Sequence, residues 1–256
     1  MTPAAHHPVI LTYHSIADGP SPLEIPPKIF VQQMEWLAAN ARVAPLAEIV
    51  DAIKKKTPLP ERTAALTFDD GYADFAEHAA PVLQRLNLRA VVFLPTAFAG
   101  GANTWPNPYS ARKPLMSWDQ IKVLSAGFEF GCHSHAHLDL TEADASVACA
   151  DLKQSIIELE TRLGKSRRFF CYPYGRWNNN AREIVSQLFE GACTTGAGLA
   201  EPDSDPYALP RVDAHYVRDL NRFRTLFTPE FEGYLRLRRW VRRLRCQPEG
   251  KVARLR

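Results

Sequence analysis

Short apolar runs bounded by turn-forming residues recur along the chain at 9–13, 64–68, 90–94, 127–131 and 168–172, with a weaker one at 192–195. Runs of this length flanked by Gly, Pro, Asn and Asp read as buried strands. Between them lie longer stretches with helical spacing of apolar residues: Ile29 to Asn40, Leu46 to Lys56, Ala73 to Leu86, Trp118 to Ala126 and Ala143 to Leu163. Pro27 just before the first helix, and the cap-like signal of Thr141 with Asp144 around the start of the fifth, fit helix starts. Strands alternating with helices predict parallel pairing through crossover helices, hence an α/β barrel. Gly100 to Pro114, which contains Trp105 and Tyr109, reads as a long loop bordering any groove at the strand ends.

Two adjacent carboxylates close one of these strands. In Leu66-Thr67-Phe68-Asp69-Asp70-Gly71-Tyr72 the apolar run gives way to the aspartates and a glycine, the usual place for a site in an α/β protein. Neighbouring strand residues face opposite ways, so one aspartate can bind a cation while the other handles a proton. A second strand leads into Phe130-Gly131-Cys132-His133-Ser134-His135-Ala136-His137. On an extended strand all three histidines would share a side; in a helical turn His133 and His137 alone would share a face. Either geometry offers two imidazoles to one divalent cation, with Asp69 or Asp70 completing the set. A third strand, Phe169-Phe170-Cys171-Tyr172, runs into Pro173-Tyr174-Gly175. Pro fixes one torsion and Gly permits an unusual one, so this turn can hold a backbone N–H for an oxyanion.

In this order the three motifs resemble those of the polysaccharide deacetylase family, also called the NodB-homology domain or carbohydrate esterase family four. The resemblance extends from about Val9 to about Val212. It implies a distorted (β/α) barrel with fewer than eight regular strands and a site at their C-terminal ends. It also implies that Asp69 is the general base, that Asp70, His133 and His137 hold one divalent ion (Zn²⁺ is expected), and that His135 occupies a variable position outside the ligand set. The Tyr174 backbone N–H would face the oxyanion. Two departures stand out. The family's third motif usually begins with an Arg that pairs with the base, and here that position is Cys171; Arg211 is the candidate replacement, since a guanidinium suits bidentate carboxylate pairing, its competing role being an ordinary surface salt bridge. The late Asp-rich and Leu-x-His motifs are not in their usual places. The opening Val9-Ile10-Leu11-Thr12-Tyr13-His14-Ser15-Ile16 is similar to that of the biofilm poly-N-acetylglucosamine deacetylases, a branch with permuted motif order. That likeness implies His14 as the general acid, with His215 as the runner-up.

Composition sets the frame around this chemistry. The 256 residues, 46% hydrophobic and 23% charged, suit one α/β domain with a substantial core. Five cysteines (Cys132, Cys149, Cys171, Cys193, Cys246) without C-x-x-C spacing argue against a disulfide framework or a cysteine zinc site. The charge is unevenly spread. From Tyr234 to Arg256 nine basic residues face Glu249 alone, so this segment carries +8 of a net +3 and the remainder carries −5. We therefore divide the chain into a deacetylase domain, 1–232, and a basic tail, 233–256, which as an amphipathic helix could lie on an anionic membrane surface. No nucleic-acid motif accompanies the tail. Met1 to Pro8 lacks the pattern of a secretory signal and no run approaches the ~18 apolar residues of a membrane span, so the expected location is cytoplasmic, peripheral to a membrane if the tail binds one.

The expected activity is metal-dependent removal of N-acetyl groups from amino sugars of an oligo- or polysaccharide. One rival keeps the site and takes a lipid-linked sugar at the cytoplasmic membrane face, deacetylated or deformylated. Another is an inactive carbohydrate-binding relative, suggested by Cys171 in place of the motif Arg. Trp105 and Trp177 are candidates to stack on sugar faces or to pack in the interior.

Overall fold

The computed structural model describes residues 7–105, 111–164 and 168–245. Strand β1 (Val9–Tyr13) pairs along its whole length with β3 (Thr63–Phe68) on one side and with β8 (Leu209–Asp213) on the other. From β3 the sheet continues through β4 (Val91–Leu94), β5 (Glu129–Cys132), β6 (Phe169–Cys171) and β7 (Gly191–Ala197) back to β8. All these pairings are parallel, so seven strands close a barrel, and the two-residue β2 (Arg42–Val43) pairs with the start of β3. Around it lie α1 (Pro27–Asn40), α2 (Leu46–Lys55), α3 (Ala80–Arg85), α4 (Trp118–Leu124), α5 (Ala145–Leu163), α6 (Asn179–Leu188), α7 (Leu220–Phe223) and α8 (Pro229–Arg245). The distorted barrel with fewer than eight regular strands is the fold observed.

The period of two along each strand divides the core into two. Val9, Leu11, Tyr13, Leu66, Phe68, Val92 and Phe170 pack outward against helix residues such as Phe30, Met34, Leu83 and Leu152. Ile10, Ala65, Val91, Phe93, Phe169, Cys193 and Leu209 face one another inside, together with Leu46, Ile49, Val50 and Ile53 of α2. Gly191, the first residue of β7, abuts Val50, so α2 plugs the N-terminal mouth of the barrel and leaves the C-terminal mouth for chemistry.

Some elements differ from expectation, each for a local reason. The stretch from Ala73 to Leu86 is a π-helical turn, Phe75–Ala79, followed by α3, because Pro81 cannot donate the N–H that a continuous α-helix needs. β8 and α6 join the predicted elements: β8 carries Pro210 and an inward Arg211, and α6 buries Ala181 and Val185 alone. The division at 232 and 233 falls inside α8, since Phe231 and Leu235, one turn apart, are both buried in the core. Residues 246–256 of the basic tail, Cys246 among them, lie outside the described residues. Among the described residues, Cys132, Cys149, Cys171 and Cys193 are free thiols, and no helix is long and apolar enough to cross a membrane.

Candidate active site

Strand parity brings the first group of side chains together. Positions 65, 67 and 69 alternate with the outward 66 and 68, so Asp69 aims into the barrel above Thr67. Arg211 from β8 and Cys171 from β6 reach the same layer. Arg211 is only 1% exposed, and its guanidinium grips Asp69 with two bonds: Nη1 donates to Oδ1 (2.8 Å) and Nη2 to Oδ2 (2.6 Å). Nε donates to the Thr194 carbonyl (2.8 Å), Nη1 also to Thr67 Oγ1 (2.9 Å), and Nη2 lies 3.1 Å from Cys171 Sγ. Burial opposes ionisation of Asp69, but the Arg211 charge and hydrogen bonds outweigh it and bring the carboxyl down to about 2. Burial likewise pushes the Cys171 thiol up to about 11, which keeps it neutral.

Asp70 follows on a different course. Its φ of 70° lies in the left-handed region, which breaks the strand alternation and swings the side chain toward the histidine loop. Asp70 Oδ1 stands 3.3 Å from His133 Nε2 and 3.3 Å from His137 Nε2, and all three residues are buried. His133 Nδ1 lies 2.7 Å from the Cys171 carbonyl oxygen. Donation from Nδ1 leaves Nε2 facing the carboxylate, where a neutral imidazole presents a lone pair. With His137 Nε2 facing the same oxygen, two ring nitrogens converge on one carboxylate oxygen, an arrangement suited to a positive centre between them. In the metal-free protein, burial disfavours the His133 imidazolium but Asp70 outweighs it and holds its pKa above the ordinary value, a proton whose place an ion on Nε2 would take, while burial lowers the pKa of His137. The ligand atoms of Asp70, His133 and His137 lie within 4.8 Å of one another, and two imidazoles with one carboxylate fit a divalent cation of the zinc class. Asp69, His133 and Cys171 also cluster, but Arg211 occupies both oxygens of Asp69 and the thiol is neutral, so the first set fits the ion better.

The histidine loop adopts neither geometry considered from sequence. Ser134 (φ 66°) and His137 (φ 53°) are both left-handed, and the resulting tight turn brings His137 back onto His133, edge to face at 4.8 Å. His137 is stacked on the buried Trp105 at 4.2 Å, and the His137 Nδ1 has no hydrogen-bond partner among the described residues. His135 points away, with Nδ1 2.9 Å from Thr96 Oγ1. Trp105 is thus a largely buried part of the cleft wall that packs on His137, whereas Trp177 is 41% exposed.

The remaining candidates line one cleft of about 930 Å³. His14, just past β1, places Nε2 3.7 Å from Asp69 Oδ2. His215 is exposed on the turn after β8, its ring beside Tyr216; of the two histidines, His14 is the one within ion-pair range of Asp69. Tyr174 takes φ 59° and ψ 3° in the Pro173–Gly175 turn, where Gly175 (φ 65°) is required because a Cβ there would overlap Thr195. The turn's own bonds run from Gly175 N–H to Tyr172 and from Arg176 N–H to Pro173, leaving the Tyr174 N–H outside them. Sequence reasoning missed a polar node beside His14. Lys113 Nζ donates to Ser15 Oγ (2.6 Å) and Glu24 (2.9 Å) and pairs with Asp74 (3.3 Å), while Ser15 donates to Asp74 (2.5 Å). Nothing in those separate loop segments signals that they meet.

The sequence model of the polysaccharide deacetylase family matches residues 56–189, more than half of the chain. The chain belongs to that family. The matched segment contains Asp69, Asp70, His133, His137, Cys171 and Tyr174, while His14 and Arg211 lie on either side of it. Among curated relatives, YxkH of Bacillus subtilis (strain 168) is 28% identical over 207 residues, covering 79% of this chain and 70% of its own. The poly-β-1,6-N-acetyl-D-glucosamine N-deacetylase of Staphylococcus epidermidis is also 28% identical, over 196 residues; the match covers 72% of this chain and only 65% of the length of that enzyme. Among solved structures, the Streptococcus pyogenes deacetylase PplD in complex with acetate superposes with a TM-score of 0.71 at 24% identity, covering 82% of this chain and 93% of that one. The family supplies the coarse chemistry, deacetylation of an acetylated polysaccharide.

Proposed function

We propose that the protein is a metal-dependent N-deacetylase of N-acetylated amino sugars in an oligo- or polysaccharide. The observation that carries this reading is the Asp70–His133–His137 trio set beside the Asp69–Arg211 pair in one open cleft. Asp70, His133 and His137 would hold a divalent ion, zinc by their chemistry, which when bound polarises an acyl carbonyl and acidifies water. Asp69 is kept ionised by Arg211 and accepts the proton of the attacking water. Held this acidic, it is a weak base suited to an already acidified nucleophile. The Tyr174 N–H is positioned by its turn to donate to the oxyanion. His14 delivers a proton to the departing amine, a task for which an imidazole is suited near neutral pH. The similarity to the S. epidermidis enzyme favours an N-acetylglucosamine polymer as substrate.

The paired, buried state of Asp69 and Arg211 argues against the inactive reading, because the partner lost at Cys171 is supplied from β8. The basic C-terminal segment adds a reading of its own. Its charge suits an anionic membrane surface, which sedimentation of activity with anionic vesicles, reversed by salt, would test. For the main proposal the experiment is acetate release from chitooligosaccharides, poly-N-acetylglucosamine and acetylated xylan, with and without chelator. Chelator-sensitive release from the amino-sugar substrates is expected. Release from acetylated xylan alone would overturn N-deacetylation, and full activity in metal-stripped protein would overturn metal dependence.

A further inference from the structure

The loop that carries both histidines is anchored by a residue from outside the motifs. Asp151, on the second turn of α5, accepts three hydrogen bonds from it: from Ser134 Oγ (2.6 Å) and the His135 N–H (2.8 Å) at Oδ1, and from the Ala136 N–H (2.9 Å) at Oδ2. Ser134 is fully buried and passes the restraint on, its Oγ accepting from the Leu138 N–H (2.8 Å). On the opposite side of the loop, the Ser134 and His135 carbonyls accept from the Thr96 and Ala97 N–H groups. Among the described residues no cation pairs with Asp151, so its charge is spent on these donors, a concave arrangement of N–H and O–H groups around an anion.

The loop needs such an anchor. Ser134 and His137 both hold left-handed backbones that side-chain-bearing residues avoid, and this strained turn is what brings the two imidazoles onto Asp70. We propose that Asp151 is a positioning residue for the metal site: it pins Ser134, His135 and Ala136 and thereby sets the spacing of His133 and His137. The inference rests on the metal reading above. Asp151 touches neither the ion's ligand atoms nor the substrate cleft, so its loss should appear as weaker ion binding rather than as a failed chemical step.

The test is titration of Co²⁺ and Zn²⁺ into metal-stripped full-length protein, parent against Asp151→Ala and Asp151→Asn. The variants should bind ~10–100-fold more weakly, the usual cost of losing a group that orients a metal ligand. Their turnover at saturating ion should stay close to that of the parent, and Asp151→Glu should recover part of the affinity. The Co²⁺ absorption bands at saturation should match, because the ligands are unchanged. If the Asp151 variants do not fold, Ser134→Ala removes one link of the chain and should weaken affinity by a smaller factor. Unchanged affinity in folded variants, with only the melting temperature of the metal-free protein lowered, would overturn the proposal and make Asp151 a purely structural residue. A parent protein that takes up no divalent ion would instead overturn the metal reading and this role with it.

Discussion

Replacing Arg211 by Met tests whether a single guanidinium sets the state of the base. Met is close in length and fills the channel without charge or donors. In the parent, Asp69 falls from the ordinary 3.8 to about 2 in spite of its burial. Roughly two pKa units correspond to ~2–3 kcal/mol of stability, since one unit is about 1.4 kcal/mol. Because the folded value lies below the unfolded one, this stabilisation is fully present above pH ~4 and is lost as the pH falls through about 2. Without Arg211 the buried carboxylate loses both of its guanidinium bonds and keeps the more distant His14 at 3.7 Å, and breaking such a pair from one side costs ~3–5 kcal/mol. Its pKa should then rise above the ordinary value, because burial remains while the compensating charge is gone. The double variant Asp69→Asn/Arg211→Met removes both charges and should regain much of the loss, since no uncompensated ion is left inside. Urea denaturation of metal-stripped parent, both single variants and the double variant at pH 7 completes the cycle, and the acid limb of kcat/KM in metal-loaded Arg211→Met should move to higher pH. Additive stability effects, together with an acid limb that stays where it was, would refute the argument.

Three further outcomes follow from the site. His133→Ala and His137→Ala should lose the bound ion in metal analysis while His135→Ala retains it; a metal-free His135→Ala would show the ligand set to be wrong. Asp69→Asn should keep its ion and lose ~10²–10⁴-fold in turnover, as expected for a removed proton acceptor, whereas Asp70→Asn should bind the ion weakly; equal ion loss in the two would count against separate roles. His14→Ala should keep fold and ion but lose most turnover, with His215→Ala nearly unchanged; the reverse pattern would move the acid to the C-terminal side of the barrel.

What could be read from the sequence depended on how far function departed from regular pattern. β1 and β3 are buried along their length and mostly apolar, and their period of two is intact, so they were legible to within a residue. β8 is as central to the barrel but reads Leu-Pro-Arg-Val-Asp, and the inward residue that breaks its pattern is Arg211 itself. A strand that delivers a charge to the site hides its own signal. The ligand loop illustrates a second limit. His-x3-His spacing named His133 and His137, yet their convergence comes from left-handed Ser134 and His137, a conformation that L-residues disfavour and no propensity foretells. Asp151 left no trace, because an aspartate on an amphipathic helix is ordinary until the fold places a buried Ser134 beneath it.

The exchange of Arg between motif and strand follows from the same geometry. Cys171 of β6 and Arg211 of β8 lie on either side of β7, and the Arg211 side chain crosses that strand with its Nε bonded to the Thr194 carbonyl. The guanidinium ends 3.1 Å from Cys171 Sγ, in the space that a longer side chain at position 171 would have to occupy. A small residue at 171 and a long basic one at 211 are therefore two halves of one solution. The requirement imposed by the chemistry is a buried guanidinium facing both oxygens of Asp69, which is a location and not a place in a motif. Parallel strands converging on one barrel mouth let more than one strand end reach it. The absence of Arg from the third motif thus reports where the charge enters the site, and the pairing at 2.6 and 2.8 Å shows that the charge is there.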